Sequence, residues 1–123
     1  MINKKETLIA KIDTVMEATK SPLLYMIIDT RNEDMFKKGS IPNAKNLTQA
    51  DVMVGHKPRS LLDIMTAFHF RSIDYDAFQE VAFIILYGNG SSAVVKAVIE
   101  HYHINQKSVL IFPGGMAEWN LQK

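Results

Sequence analysis

The feature that constrains the fold most is an alternation of short apolar runs with segments of helical periodicity. The apolar runs with the length and continuity of buried strands lie at 23–28, 81–87 and 109–112. The segments with apolar residues at helical spacing lie at 4–19, at 92–103 and just after Ser60. Strands that alternate with helices are typical of a parallel sheet. The sequence therefore predicts an α/β fold with a small parallel sheet of about four or five strands and helices on both faces.

Two of these helices carry clear start signals. Asn3 and Glu6 form a capping-box pattern for the helix at 4–19, and Ser60 with Asp63 repeats the pattern further along the chain. The apolar face predicted for this later helix comprises Leu61, Leu62, Ile64, Met65 and Phe68. Each helix is expected to pack one face against the sheet.

The chain after the first strand is less regular. Asn32 favours a short helix over 33–38, which Gly39 would end. Asn46–Leu47 is suited to a short strand. Residues 48–59 can be interpreted as a helix or as a loop. Thr48 and Asp51 are a polar pair typical of a helix cap, whereas Gly55 and Pro58 favour a loop.

The strand at 81–87 leads through the small residues of Gly88–Ser92 into a helix. A strand, a tight loop and a helix N-terminus form a common place for a nucleophile or a bound anion. Right-handed crossovers would bring the loops after residues 28, 87 and 112 to the carboxyl edge of the sheet. We therefore expect the functional residues at that edge.

Composition narrows the classes of function. The 123 residues fit one domain, expected over residues 1–123. A net charge of +1, from 14 basic and 13 acidic side chains, gives no electrostatic case for binding nucleic acid or a membrane surface. The absence of cysteine excludes disulfides and thiolate metal sites. The sequence has no signal-peptide pattern and no apolar run near the ~20 residues of a membrane span. We predict a cytoplasmic protein without a metal or cofactor, and its oligomeric state stays open.

Three separated segments form a set whose order and spacing are informative together. They are Ile28–Arg31 with Gly39–Leu47, Ile85–Tyr87 with the loop that follows, and Val109–Phe112 with Gly114, Gly115 and Trp119. The set resembles the rhodanese family, with its acid–arginine pair, its Gly-His-Ile-Pro-Gly-Ala motif, its active-site strand and loop, and its closing Gly-Gly turn and tryptophan. The resemblance covers about residues 20–120. It implies a single rhodanese-like α/β domain.

The departures from the family pattern bear on function. The family's nucleophilic cysteine follows the active-site strand, and Gly88 stands at that position. The arginine that closes the family's loop is either replaced by Ala93 or deleted, depending on the alignment of the shorter loop. Ser40 and Asn43 are milder changes, where the family often has histidine and glycine. Sulfane-sulfur transfer needs a polarisable thiolate that forms a persulfide. No sulfurtransferase activity is therefore expected.

The loop remains the candidate binding site. The predicted anion- or ligand-binding residues are Gly88, Asn89, Gly90, Ser91, Ser92 and Ala93. Backbone N–H groups at a helix N-terminus and two serine hydroxyls favour an anion. The same small residues also fit a tight turn in which a serine caps the helix. The resemblance implies that Asp29 and Arg31 support the site as a partly buried charge pair that orders the surrounding loops.

Three hypotheses for function follow. The first is a catalytically inactive rhodanese-like domain that acts as a binding or regulatory module for a protein partner or a small anion. The second is a hydrolase-type enzyme that uses Ser91 or Ser92 as its nucleophile, which requires a general base within hydrogen-bond reach. The candidate bases are His56, His69, His101 and His103. The third is a scaffold whose cysteine is delivered by a partner protein.

Overall fold

The computed structural model describes the backbone of residues 8–102 and 108–122, and the side chains within those ranges except at 98–102. The strands in these ranges are β1 (Leu8–Ile9), β2 (Tyr25–Asp29), β3 (Lys45–Asn46), β4 (Met53–Val54), β5 (Lys57–Pro58), β6 (Phe83–Tyr87) and β7 (Val109–Ile111). The helices are α1 (Ile12–Ala18), α2 (Glu33–Lys38), α3 (Gln49–Val52), α4 (Leu61–Phe70), α5 (Tyr75–Glu80), α6 (Ser91–Tyr102) and α7 (Gly115–Asn120).

A five-stranded parallel sheet with the order β1-β7-β6-β2-β3 organises the domain. At its centre β2 and β6 pair in register, with Ile27 opposite Ile85 and Asp29 opposite Tyr87. Strands buried on both faces need apolar residues at every position, which explains the continuous apolar runs in the sequence. The predicted fold class is confirmed.

Helices cover both faces of this sheet, and each face has its own apolar core. Helices α3 to α6 bury one core, which includes Val52, Ile64, Phe68, Phe78 and Val94. Helices α1 and α7 cover the other, where Val15 and Ala18 are buried and Trp119 packs at the margin. In the described part of the chain, no helix is long and apolar enough to cross a membrane.

The prediction of a helix over 4–19 is wrong at 8–9. Leu8 and Ile9 form β1 and pair with Leu110 and Ile111, so the sheet gains an edge strand. The helix begins only at Ile12, and the predicted capping box lies outside the described residues. Pairing with a neighbouring strand outweighs a weak local helical pattern here, because helix propensity is a small term that tertiary contacts override.

Residues 48–59 contain both of the structures that the sequence left open. Thr48 and Asp51 form a capping box for α3, in which each side chain bonds to the other residue's backbone N–H. An antiparallel hairpin of β4 and β5 follows, with Gly55 at φ +59 in its turn.

The apolar face predicted for α4 is only partly confirmed. Ile64 and Phe68 are buried, whereas Leu61, Leu62 and Met65 remain exposed. The helix presents a narrow stripe to the sheet, because a single helix buries only about a third of its circumference against one layer.

Candidate functional site

The carboxyl ends of β2 and β6 lie side by side, so their loops share one edge of the sheet. The N–H of Thr30 donates to the carbonyl of Tyr87 at 2.8 Å, extending the pairing one residue past β2. The loop after β7 approaches the same edge, since a Cβ built on Gly115 would lie 3.9 Å from the Tyr87 ring. The loops after β2, β6 and β7 therefore meet at the carboxyl edge of the sheet, as the alternation of strands and helices predicted.

A buried carboxylate organises this edge. Asp29 has no solvent exposure, and Arg31 donates to it from its backbone N–H at 2.9 Å, from Nε at 3.1 Å and from Nη2 at 2.7 Å. The Tyr87 hydroxyl donates to Asp29 Oδ2 at 2.6 Å. A buried carboxylate with this many donors is compensated within the protein, as buried charges require.

Arg31 and Tyr87 also form hydrogen bonds with the segment 39–41. Arg31 Nη2 donates to the carbonyl of Gly39 at 2.6 Å, and the N–H of Ile41 donates to the Tyr87 hydroxyl at 3.1 Å. The hydrogen bonds to Asp29 raise the pKa of the Arg31 guanidinium above its ordinary value. Burial raises the pKa of the Tyr87 phenol well above its ordinary value, and the hydrogen bond with Asp29 adds to this. The Arg31 guanidinium therefore forms its hydrogen bonds within the protein, to Asp29 and Gly39.

Thr30 occupies the space beneath the loop after β6. Its side chain is buried, and its Oγ1 donates to the Tyr87 carbonyl at 2.9 Å while accepting the N–H of Gly90 at 3.1 Å. A bound anion would need this type of loop N–H group. The internal hydroxyl already satisfies the N–H of Gly90.

The backbone at Gly88 leaves no room for a side chain. Gly88 has φ +106, a conformation that residues with a Cβ rarely adopt. A Cβ built there would lie 2.7 Å from Thr30 Oγ1 and 3.1 Å from the backbone nitrogen of Arg31. A residue with a side chain at position 88 would therefore require both a strained backbone and a shift of Thr30.

The two loop serines differ in environment. Ser91 is buried, and its hydroxyl donates to the Gly88 carbonyl at 2.8 Å and lies 3.4 Å from Thr30 Oγ1. Ser92 is exposed, as is Asn89, and Ala93 packs against the core on the α6 face. This hydrogen bond fits the tight-turn interpretation of the loop. It is not a helix cap, because a capping hydroxyl accepts a helix N–H, whereas Ser91 is the first residue of α6 and donates to a carbonyl.

The candidate bases do not gather at these serines. His56 lies in the exposed turn of the hairpin and His69 on the exposed side of α4. Within the described side chains, neither imidazole makes a hydrogen bond to Ser91 or Ser92. The side chain of His101 and all of His103 lie outside the described part.

A second polar network, which no sequence pattern predicted, flanks the site. Arg71, at the end of α4, donates to Asp51 at 3.0 Å, to Glu33 at 3.0 Å and to Asn46 at 2.9 Å. Asn46 in turn donates to the backbone carbonyls of Asp29 and Arg31. These bonds join residues up to 38 apart in sequence, so no local pattern signals them.

The fold and the position of the site define a class of protein: a small α/β domain whose β2, β6 and β7 loops form a site at the carboxyl edge of a parallel sheet. The family model for the rhodanese-like domain matches residues 11–122, and the chain belongs to that family.

The structural comparison agrees with this membership. The solved structure of SseA, a 3-mercaptopyruvate sulfotransferase from Escherichia coli, matches with a TM-score of 0.68 at 21% identity. The match covers 94% of this chain and 42% of that one. At this identity the likeness shows a shared fold. The comparison with curated proteins returned no match.

Proposed function

We propose that this chain is a single, catalytically inactive rhodanese-like domain that acts as a binding or regulatory module for a protein partner. The observation that carries the proposal is the lack of room at Gly88, where a Cβ would meet Thr30 and where the resemblance to the family places the nucleophile. The chain contains no cysteine to form a persulfide. The predicted cytoplasmic location stays a prediction.

A protein partner is better supported than a small anion at Gly88–Ala93. The Thr30 hydroxyl already accepts the N–H of Gly90. Asp29 and the Gly39 carbonyl accept hydrogen bonds from the guanidinium of Arg31. The loop itself carries no basic side chain. An anion would have to displace internal hydrogen bonds to gain its own, which lowers its net binding energy.

A serine hydrolase is the competing proposal. It requires a hydroxyl that is free to attack and a base that removes its proton. The hydroxyl of Ser91 is buried and bonded to Gly88, and Ser92 lacks a described imidazole partner. Neither condition has support from the described geometry.

Activity assays and an amide NMR titration test the proposal together. We expect no transfer of sulfur from thiosulfate to cyanide and no hydrolysis of p-nitrophenyl esters or phosphoesters by the full chain. We also expect no saturable shifts at residues 88–93 with sulfate, phosphate or thiosulfate. Turnover that disappears in Ser91→Ala or Ser92→Ala would overturn the inactive-module proposal, whereas saturable anion shifts at the loop would replace the protein partner with a small ligand.

A further inference from the structure

Helix α4 exposes apolar side chains that its amphipathic pattern assigned to the core. Leu61, Leu62 and Met65 are 41%, 74% and 39% exposed. They occupy adjacent positions on one flank of the helix, because residues three and four apart share a face. Ile64 and Phe68, three positions from Leu61 and Met65, form the adjacent buried stripe and belong to the core on this face of the sheet. Leu62 therefore contributes little to the domain's own core, whereas Leu61 and Met65 lie at its margin.

A cleft continues this apolar flank toward α5. It has a volume of about 370 Å³ and is lined by Met65, Phe68, His69, Ile73, Asp74, Tyr75 and Asp76. Phe68 and Ile73 are buried and form its apolar floor, while Met65 connects the cleft to the exposed flank of α4. We call Leu61, Leu62 and this cleft the α4–α5 surface.

The rim of the cleft is acidic. Asp74 caps α5 through one carboxylate oxygen, which accepts the N–H of Ala77 at 2.9 Å. Asp76 makes no hydrogen bond or ion pair to any described residue. The guanidinium of Arg71, one residue beyond α4, is bound to Asp51 and Glu33. The negative charge of the rim is thus available to a partner.

We infer that the α4–α5 surface is the docking site for a segment of another protein that presents apolar and cationic side chains together. Apolar side chains of the segment would cover Leu62 and Met65, and a lysine or arginine would reach Asp76 with its aliphatic stem over the cleft. The ten residues of α4 are about 15 Å long, which suits an amphipathic helix with anchors at three- and four-residue spacing. This inference rests on the proposed binding function and names its surface and its partner class.

Two synthetic peptides test the inference by amide NMR on the full chain. One is a 14-residue amphipathic helix of leucine and lysine, and the other has glutamate in place of every lysine. We expect saturable shifts confined to residues 61–76 with the lysine peptide and none with the glutamate peptide. Leu62→Ser should lower the affinity for the lysine peptide roughly tenfold. Asp76→Asn should lower it roughly threefold.

Matched variants control for loss of an exposed leucine or a charge elsewhere. Leu23 is 90% exposed in the turn before β2, and Asp34 is the second residue of α2 as Asp76 is of α5. Leu23→Ser and Asp34→Asn should leave the affinity unchanged. Equal binding of both peptides, shifts centred outside residues 61–76, no binding, or an unaltered affinity in Leu62→Ser would each overturn the inference. The proposed binding function fails separately, through serine-dependent turnover in the activity assays.

Discussion

Replacing Gly88 with alanine tests how strongly Thr30 disfavours a side chain at position 88. At φ +106 the backbone conformation alone should cost about 1–2 kcal/mol once a Cβ is present. The Cβ would also stand 2.7 Å from Thr30 Oγ1, so the threonine must move and release the N–H of Gly90. A buried donor without its partner costs about 1–3 kcal/mol. The free energy of unfolding should therefore fall by about 2–5 kcal/mol in Gly88→Ala.

Urea denaturation of four variants, Gly88→Ala, Gly55→Ala, Thr30→Ala and the double variant Thr30→Ala/Gly88→Ala, separates these contributions. Gly55→Ala is the control, because Gly55 also has a positive φ but its Cβ would meet no atom within 4 Å. Its cost should be the conformational part alone. In a Thr30→Ala background the cost of Gly88→Ala should shrink toward the Gly55→Ala value. Equal costs for the two glycines, or strict additivity of Gly88→Ala with Thr30→Ala, would refute the steric argument.

Other perturbations probe the networks around the site. Tyr87→Phe removes the hydroxyl that joins Asp29 to the segment 39–41, and thermal or urea unfolding should show a loss of about 1–3 kcal/mol. Because the folded-state pKa of Tyr87 is raised, its contribution is complete below the ordinary tyrosine pKa of about 10 and is lost as the pH rises above that value, by up to about 1.4 kcal/mol per pH unit. Urea titrations between pH 8 and 11 should show a shallower decline in Tyr87→Phe, and an identical decline would contradict this assignment. Arg71→Ala should cost about 1–3 kcal/mol because it strips three side-chain partners, whereas Arg59→Ala, which loses one bond to a backbone carbonyl, should cost less than about 1 kcal/mol.

Local signals in the sequence were reliable where the determinant is a few neighbouring residues. Asn32 accepts the N–H of Met35 and starts α2, and the helix ends at Gly39 as predicted. Ser60 likewise accepts the N–H of Asp63 at the start of α4. Such caps act within one helical turn, so their pattern is visible without the rest of the fold.

Patterns that depend on what packs nearby were less reliable. Leu8 and Ile9 fit a helical stripe but pair with β7, and the pairing decides their structure. Leu61 and Leu62 fit the apolar face of α4 but stay outside the core, because the width of the buried stripe depends on how the helix sits on the sheet. Periodicity identifies an element more securely than it identifies each buried side chain.

Residue type and order along the chain were enough to predict the alternation of strands and helices, the position of the loop after β6 and the absence of any thiolate. The tertiary structure alone showed that Thr30 bonds to the Tyr87 carbonyl across 57 residues and to the loop amide of Gly90. It also showed that the Tyr87 hydroxyl donates to the Asp29 carboxylate across 58 residues. Parallel pairing of β2 with β6 creates these contacts, since it brings the ends of two distant strands to one edge of the sheet.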